Sequence, residues 1–358
     1  MKKRVKLADI ANELGLSKMA VSMALRGDTS ISKETTERVR SKASELGYTP
    51  NRMAQGLVRG KSYTIALVIA GPFHDDYQNQ IIKGAVPYAM KRGYTISVSP
   101  MAGNPERESS YIEKFKDIVA DGVMAFPSPE VKNYRKLKDD GMPYVLYTKF
   151  FYDLESDYVV CNDELGGYLM TRHLLELGHV DIGFVYDEKL KESSEVVERL
   201  KGMRRALAEQ GIEHGDDRLL PFALHYNLED MDDNAILESN PAFERALRSG
   251  NRPTALFVCN DITATSVYIA IKKMGLRIPD DISIGGYEGV YLGSIVDPPL
   301  TTVATPIQEM GRRACEILID KIEGKSDSDQ IFRLKLDPKL LVRASTKAVS
   351  PVAKKEQD

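Results

Sequence analysis

Apolar side chains in the first fifty residues recur at helical spacing. Leu7, Ile10 and Leu14 follow one another at intervals of three and four residues, which is the spacing of one helix face. Gly15 is a typical residue just past a helix end, and Ser17 is a typical N-cap. The pattern predicts a helix, a tight turn and a second helix.

A third helix is predicted next. Ser32 is a suitable cap before it, and Val39, Ala43 and Leu46 fall on one face before Gly47. The start of the chain carries helix signals only. We therefore predict that it folds as an all-α module.

The pattern changes at Thr64, where short β-rich runs begin to alternate with longer amphipathic stretches. The runs that indicate strands are Thr64–Ala70, Tyr94–Ser99, Gly122–Pro127, Tyr144–Thr148, Tyr158–Cys161, Asp181–Tyr186, Leu219–Phe222, Ala255–Cys259, Ile282–Gly285 and Thr301–Ala304. Strands that alternate with helices form parallel, doubly wound sheets. Because these runs exceed one typical sheet, we predict two α/β subdomains with a ligand site in the cleft between them.

These patterns divide the chain into four segments. The module occupies residues 1–50, a linker follows at 51–61, and the α/β body extends over 62–344. The tail, residues 345–358, contains Pro and several Lys residues but no leucines at heptad spacing. We expect this tail to be disordered.

Composition excludes several classes of protein. The chain has 358 residues, of which 42% are hydrophobic, so it is long enough for more than one core. Its longest apolar stretches, such as Thr64–Ala70, fall far below the roughly 20 residues that cross a bilayer. Cys161, Cys259 and Cys315 are far apart and odd in number, which is typical of small buried hydrophobes rather than of disulfides or a zinc site. We expect a cytoplasmic chain with no metal, no cofactor and no membrane contact.

The formal net charge of -3 hides a division along the chain. Residues 1–61 contain 13 Lys and Arg against 6 Asp and Glu, whereas the remainder contains 36 against 46. A basic module on an acidic body indicates that the module contacts a polyanion. On charge alone, a merely solvated basic face is equally compatible.

The second predicted helix has two unlike sides. Its packing side carries the apolar residues Ala20, Val21, Ala24 and Leu25. The opposite side carries Lys18, Met19, Ser22 and Met23. A cation, a hydroxyl and two thioethers suit a DNA major groove, where Lys reaches guanine acceptors or phosphate and apolar groups meet thymine methyls. The alternative is that both methionines belong to the core.

Four sequence blocks resemble the lactose-repressor (LacI-type) family of bacterial transcription regulators. They are VKLADIA at 5–11, LSKMAVS at 16–22, SKETTERV at 32–39 and LGYTPN at 46–51. The resemblance implies a helix-turn-helix module that binds double-stranded DNA at a pseudo-palindromic operator. It also implies a homodimer that regulates transcription, most naturally as a repressor.

The resemblance assigns DNA contacts residue by residue. The base-reading positions fall on Lys18 and Met19, with Ser22 near the DNA backbone. Met23 stands where many members carry an arginine, and Arg26 stands where an asparagine is common, so the operator is expected to differ from the usual one. The full set of expected DNA contacts is Leu7, Ser17, Lys18, Met19, Ser22, Met23, Arg26, Asn51, Arg52, Ala54 and Leu57.

Residues 51–57 resemble the family's hinge helix, in which Leu57 matches the leucine that wedges into the minor groove. A segment this short with Gly56 inside it is not helical alone, because nucleation is unfavourable. We expect it to become ordered only with DNA and a second subunit. The alternative is a flexible linker.

The resemblance continues to about Arg343 and implies a periplasmic-binding-protein-like fold for the body. In that fold the effector binds at strand ends between the subdomains. Asp261 and Arg199 match anchoring positions, since a carboxylate accepts hydrogen bonds from ligand hydroxyls and a guanidinium offers a planar fork of donors. Locally, Asp261 could instead cap the next helix, and Arg199 could form a surface ion pair.

The remaining expected effector contacts follow other predicted strands. They are Tyr77, Phe126, Lys149, Asn260 and Glu288. The family often has Asp where Glu288 stands, and the pair Asn162-Asp163 reverses the usual order, so this pocket differs from the common one. Segment 224–240, which includes His225 and Tyr226, is longer than the family loop, and its residues are not assigned.

The sequence leaves two effector classes open, and other functions have less support. A sugar or sugar derivative suits the acid and amide groups, whereas a nucleobase would need stacking on Tyr77 or Phe126. Induction and co-repression are both compatible. An enzyme lacks support, because the chain contains no GxGxxG after its first strand and no GxxxxGK[ST], GxSxG or HExxH motif. A periplasmic binding protein would not need the DNA-reading module, and a nucleoid protein would not need the body.

Overall fold

A computed structural model describes residues 5–48, 61–71, 75–101, 104–117, 120–224, 235–327 and 330–349. The chain divides into two compact units, Met1–Ser62 and Tyr63–Asp358. The division lies one residue from the boundary expected between linker and body. The first unit is called the module below, and the second the body.

The module contains three helices, α1 (Leu7–Leu14), α2 (Lys18–Arg26) and α3 (Lys33–Glu45). The predicted caps are confirmed. Ser17 Oγ accepts a hydrogen bond from the Ala20 amide at 3.0 Å, and Ser32 Oγ accepts one from the Thr35 amide at 3.2 Å. Gly15 ends α1 in the left-handed region with φ of 65°, which glycine adopts without a Cβ clash.

The core of the module comes from the predicted apolar faces. Its buried members are Ile10, Ala11, Val21, Ala24, Val39 and Ala43. Each helix thus buries one stripe against the other two, as an amphipathic helix of this length requires for stability.

The body begins with β1, and its strands and helices alternate as predicted. Its strands are β1 (Thr64–Ile69), β2 (Thr95–Pro100), β3 (Gly122–Ala125), β4 (Tyr144–Tyr147), β5 (Asp157–Cys161), β6 (Ile182–Tyr186), β7 (Leu219–Pro221), β8 (Ala255–Val258), β9 (Ser283–Glu288), β10 (Thr301–Ala304), β11 (Arg333–Leu336) and β12 (Lys339–Leu341). Its α-helices are α4 (Asp76–Lys91), α5 (Pro105–Asp117), α6 (Val131–Asp139), α7 (Asp163–Glu176), α8 (Ser194–Ala208), α9 (Ala235–Glu238), α10 (Pro241–Arg248), α11 (Asp261–Lys273), α12 (Leu292–Ile295) and α13 (Ile307–Ile322).

The strands form two sheets, which confirms the two predicted α/β subdomains. The first subdomain has the parallel order β11-β5-β4-β3-β1-β2, and the second has the order β12-β10-β9-β8-β6-β7. The first of these sheets is parallel throughout. In the second sheet β12 runs antiparallel to β10. The chain passes between the sheets after β5, β10 and β11, so the subdomains are joined by several segments.

Two edge strands escaped the sequence analysis. Both β11 and β12 are short, and their residues alternate between exposed and half-buried positions. An edge strand has one open side and needs no continuous apolar run. Its pattern is therefore hard to distinguish from a loop.

The tail boundary expected at Ser345 lies too early. Ser345 is buried, and its hydroxyl donates to the Ile284 carbonyl at 2.6 Å. The Lys347 amide donates to Ser283 Oγ at 3.1 Å. Residues 345–349 are thus ordered against the second sheet, held by polar contacts that a composition argument does not detect.

In the part of the chain that the structure describes, no helix is long and apolar enough to cross a membrane.

Candidate functional site

The outward side of α2 presents the residues predicted to read DNA. Lys18 and Arg26 are exposed, and Met19 is 71% exposed. Ser22 and Met23 are half-buried. The exposure of Met19 excludes the alternative in which it packs in the core, while Met23 lies between the two environments. The outward side therefore offers cations beside a large apolar group, which is a surface suited to a DNA groove.

The remaining predicted DNA contacts divide into two groups. Leu7 opens α1 and is half-buried, and Ser17 caps α2 with its own hydroxyl. A capped N-terminus positions the first turn of α2 for phosphate or base contacts. Asn51, Arg52, Ala54 and Leu57 lie outside the described residues.

The second candidate site lies between the two subdomains of the body. The strands β3, β4, β8 and β9 end here, and the residues that follow them meet residues from the starts of α4, α7 and α8. We call this region the cleft. The residues predicted from sequence to contact an effector lie in or beside it, together with several residues that were not predicted.

Arg199 is held rigidly in the cleft. The residue is 3% exposed, its Nε donates to Asp163 Oδ1 at 2.8 Å, and its Nη1 donates to the Cys259 carbonyl at 2.6 Å. Its guanidinium carbon lies 3.8 Å from the centre of the Tyr287 ring. The surface ion pair considered above is thus wrong. The guanidinium is fixed by a buried carboxylate, a carbonyl and an aromatic face.

Glycines bring Arg199 and Asp163 together. A Cβ on Gly167 of α7 would lie 2.0 Å from the Arg199 carbonyl oxygen, and one on Gly202 of α8 would lie 1.9 Å from the Glu164 carbonyl oxygen. Only glycine permits so close an approach of the two helices. The first turn of α7 therefore reaches the side chain of Arg199.

Burial changes the acidity of the Arg199 partner. Loss of solvent raises the pKa of Asp163 to about 6, although the adjacent guanidinium opposes the shift. Burial disfavours the charged carboxylate, and an opposite charge favours it. Removal of either partner should therefore destabilise the fold, because the remaining buried charge would have no opposite charge beside it.

Asn260 and Asp261 have local roles in the structure. Asn260 Oδ1 accepts a hydrogen bond from the Thr263 amide at 2.7 Å, so Asn260 rather than Asp261 caps α11. The fully buried Asp261 accepts from Thr302 Oγ1 at 2.6 Å and from the Val290 amide at 3.0 Å. Burial raises its pKa to about 7. Asp261 thus supports the turn that carries Glu288.

Glu288 ends β9 in a strained conformation. Its φ is 104°, a value that a residue with a Cβ rarely adopts. Among the residues that the structure describes, its half-buried carboxylate has no hydrogen-bond donor. Burial and the negative charges of Asp261, Asp75 and Glu195 raise its pKa well above the usual value, and Arg199 opposes the shift. A strained, unpartnered acid in a cleft is a candidate ligand contact.

Tyr77 and Thr148 join across the first subdomain. The Tyr77 hydroxyl lies 2.9 Å from Thr148 Oγ1, and Tyr77 is buried. Thr148 has a φ of 72°, so a second strained residue borders the cleft. Because the Tyr77 ring is buried and its hydroxyl occupied, Tyr77 shapes the wall more than it offers a stacking surface.

Lys149 and Phe126 form the wall beside Tyr77. Lys149 Nζ lies 4.6 Å from the centre of the Phe126 ring. Lys149 is 6% exposed, and burial lowers its pKa although Glu195 and Glu108 oppose the shift. Phe126 is half-buried, which leaves part of an aromatic surface near the cation.

Polar contacts connect the subdomains beside the cleft. The Phe150 amide donates to Ser194 Oγ at 2.9 Å, and the Tyr152 hydroxyl donates to Glu198 Oε1 at 2.9 Å. Lys335 Nζ lies 3.5 Å from Glu198 Oε2. A change in the relative orientation of the subdomains would alter these contacts.

Sequence analysis assigned no effector contact to four residues that take part in the cleft. They are Asp75, Asp163, Glu195 and Tyr287. Asp163 carried a usable signal, because it stands just past a strand end, where the other predicted contacts stand. Glu195 carried none, since the first turn of a helix is a common place for an acid.

The three cysteines are buried, as predicted. Burial raises the pKa of Cys259, the one nearest Arg199, to about 11, so its thiol is not an activated nucleophile. In the described ranges no cluster of His, Cys, Asp and Glu side chains could hold a metal ion.

Two models of known protein families match different parts of the chain. The family model described as "Bacterial regulatory proteins, lacI family" matches residues 6–51. The model described as "Periplasmic binding protein-like domain" matches residues 171–346.

Individual relatives span nearly the whole chain. The HTH-type transcriptional repressor PurR of Vibrio campbellii is 28% identical over 346 residues, which are 96% of this chain and 99% of the relative. A transcriptional regulator CelR-cellobiose complex is 26% identical, with a TM-score of 0.67, and covers 96% of this chain and 100% of its own. A LacI family regulator from Enterococcus faecium with bound ribose is 25% identical, with a TM-score of 0.66, over 80% of this chain and 100% of its own.

Proposed function

The chain belongs to the LacI family of bacterial transcription regulators, and from this premise we propose that a small hydroxyl-rich effector in the cleft controls the affinity of the module for its operator. The chain is a DNA-binding regulator with a separate effector-binding body. The identity of the effector and the residues that contact it are our proposal.

The observation that carries the proposal is the arrangement of Arg199 and Glu288. A fixed guanidinium and an unpartnered carboxylate offer a donor and an acceptor in one buried place. A sugar hydroxyl can donate to the acid while a neighbouring hydroxyl accepts from the guanidinium. In this assignment Lys149 and Phe126 form the opposite wall, and Asn260, Asp261 and Tyr77 position the contacts. CelR with cellobiose and the Enterococcus faecium regulator with ribose support a sugar in this fold.

Switching follows from the position of the cleft between two subdomains. An effector that binds one relative orientation more tightly shifts the population toward it, and the difference in affinity sets the size of the response. The polar contacts of Phe150 and Tyr152 across the subdomains are the ones that such a shift would change.

On the DNA side, we propose that Lys18 and Met19 read bases while Ser17 and Ser22 contact the backbone. Arg26 and Met23 follow on the same helix, and Leu7 adds a contact at the start of α1. Asn51, Arg52, Ala54 and Leu57 are proposed to enter the minor groove. This assignment rests on the exposure of the α2 side chains and on the family resemblance.

A thermal-shift screen of sugars and nucleobases tests the effector assignment. A ligand at a hundred times its Kd stabilises the folded state by about 2.7 kcal/mol. We expect the shift to fall strongly in Glu288→Gln and to be kept in Glu309→Gln, a control on the exposed start of α13. Stabilisation that survives Glu288→Gln unchanged places the site elsewhere.

A nucleobase is the second candidate effector. Phe126 is half-buried and could stack on a flat ring, and a PurR repressor is among the relatives. Stabilisation by a nucleobase, lost in Phe126→Ala, would select this reading over the sugar.

We propose that the regulator acts as a homodimer on double-stranded DNA in the cytoplasm. Tyr291, Leu292 and Ile295 expose three large apolar side chains around α12, a cluster that suits a subunit interface. Sedimentation should give a dimer at micromolar concentration, and Ile295→Asp should shift it toward monomer. A wild-type monomer both free and with DNA would contradict this proposal.

We further propose that the cleft binds its effector without converting it. The buried thiol of Cys259 is protonated at neutral pH, and the acids Glu288 and Asp261 accept hydrogen bonds in this account. Effector recovered after prolonged incubation should be unchanged by NMR. A new product that depends on Glu288 would show catalysis instead.

A further inference from the structure

One cation in the cleft lacks a partner. In the ranges that the structure covers, the Lys149 ammonium makes no hydrogen bond and no ion pair, and its contact is the Phe126 ring at 4.6 Å. Lys149 is nevertheless buried, with 6% of its surface exposed. An ammonium removed from water needs hydrogen-bond acceptors, and an aromatic face replaces only part of its hydration.

The two groups without a hydrogen-bond partner among the described residues, Lys149 and Glu288, lie in different subdomains, on two walls of the cleft. Lys149 follows β4 of the first subdomain, and Glu288 ends β9 of the second. Glu195, in the first turn of α8, interacts electrostatically with both. A ligand between the walls therefore meets a cation at one end and a carboxylate at the other. It needs an acceptor end and a donor end.

The charges around Lys149 favour a ligand with one negative charge over a ligand with two. Glu195 is buried, and its Oε2 accepts from Ser193 Oγ at 2.5 Å. The buried Glu108 also acts on Lys149, while its own oxygens accept hydrogen bonds from Ser128, Asn133 and Tyr134. A ligand with one negative charge is therefore repelled less by these carboxylates than a phosphate dianion, and the single ammonium offsets a larger share of its charge.

We propose that Lys149 selects a sugar acid, with the ligand carboxylate on the Lys149 ammonium and ligand hydroxyls on Glu288 and Arg199. This inference rests on the proposed function, since it names the effector class for the same cleft. Neutral sugars fit Glu288 but leave the ammonium with a weaker acceptor. Sugar phosphates fit the ammonium but bring excess negative charge against Glu195 and Glu108.

Calorimetry on the full chain with matched ligand pairs tests the proposal. The probes are galacturonate and galactose, glucuronate and glucose, gluconate and glucitol, with glucose 6-phosphate and xanthine as other classes. We expect at least one acid to bind about tenfold or more tightly than its neutral partner, a factor typical of a desolvated charge pair. Lys149→Met should remove this preference, and the exposed Lys132→Met on α6 should keep it.

A second variant should change the affinity for the acid in the opposite direction. Glu195→Gln removes a negative charge near the proposed carboxylate, so it should tighten binding of the acid several-fold and leave the neutral partner unchanged. A merely structural role of Glu195 would weaken both ligands together. This variant also tests the proposal if Lys149→Met does not fold, as circular dichroism would reveal.

The outcomes separate this inference from the proposed function. Binding of neutral sugars, glucose 6-phosphate or xanthine in preference to every acid overturns the inference, and dependence of that binding on Glu288 would keep the proposed function. An acid preference that survives Lys149→Met also overturns the inference. If none of the probes gives heat, the sugar-acid assignment is wrong, and the effector assignment of the cleft loses its support.

Discussion

The outward side of α2 and the cleft differ in how much the rest of the chain holds their side chains. On α2 the proposed contacts are exposed or half-buried and lie within the nine residues of one helix. In the cleft the side chains come from several strands and helices, and most of them are held by other parts of the chain. The proposed recognition surface of the module can therefore change independently of the fold. In the cleft, recognition and stability share the same residues.

The buried ion pair of the cleft should give the largest effect on stability. Arg199→Met leaves the Asp163 carboxylate buried without its partner, which should lower the free energy of unfolding by about 3–5 kcal/mol. Arg204→Met, on the same helix, removes an exposed ion pair with Asp216 and should change it little. Urea unfolding measures both, and equal effects would contradict the difference between buried and exposed pairs.

The glycine contact between α7 and α8 comes next in size. Gly202→Ala places a Cβ 1.9 Å from the Glu164 carbonyl oxygen, and overpacking of this kind costs about 1–3 kcal/mol. It should also weaken effector binding, because it moves Arg199 away from Asp163. Gly250→Ala meets no atom within 4 Å and serves as the control. Unfolding and calorimetry together would contradict the account if Gly202→Ala kept wild-type values in both.

Substitutions on α2 should change DNA binding and leave the free energy of unfolding unchanged. Lys18→Ala should weaken operator binding about tenfold or relax its base preference, because a lysine at a base edge or phosphate contributes to affinity directly. Leu57→Ala should reduce DNA bending and retain the base preference. Selection from random DNA measures the base preference of each variant. The same consensus for wild type and for Lys18→Ala with Met19→Ala would show that this side does not read bases.

Asp261 should give a smaller effect, which appears in the pH dependence of the free energy of unfolding. The pKa of Asp261 is raised to about 7 from an ordinary value of 3.8, so the folded state binds this proton more tightly than the unfolded state. Its contribution is complete below pH 3.8 and is lost as the pH rises through about 7. Asp261→Asn should therefore flatten the fall in unfolding free energy between these values.

Asp281 supplies the matched control for that experiment. Hydrogen bonds from Arg277 lower its pKa to about 2, so its contribution is present above the ordinary value of 3.8 and is lost only as the pH falls through about 2. Asp281→Asn should leave the slope between pH 5 and 7 unchanged. A steeper slope in Asp261→Asn than in wild type would reverse the sign assigned here.

The two regions also differ in what their sequences reveal. Helix bounds, caps and the outward side of α2 were predictable, because each depends on residues within a few positions of one another, such as Ser17 and the Ala20 amide. In the cleft the strand ends were predictable, but the roles were not. Asp261 follows an apolar strand like a ligand contact, yet Thr302 and Val290, distant in sequence, occupy its oxygens. The pairing of Arg199 with Asp163 likewise depends on two glycines whose effect appears only in three dimensions.

Operator affinity with and without effector tests the central claim most directly. The operator is the duplex selected from random DNA, and the effector is the probe with the tightest calorimetric binding. Fluorescence anisotropy should show a change of about tenfold in operator affinity when effector saturates the wild type, within the usual range of allosteric coupling. In Glu288→Gln the effector-free affinity should match the wild type, and the change should disappear at the same effector concentration. An equal change in both proteins would contradict control of DNA binding through the cleft.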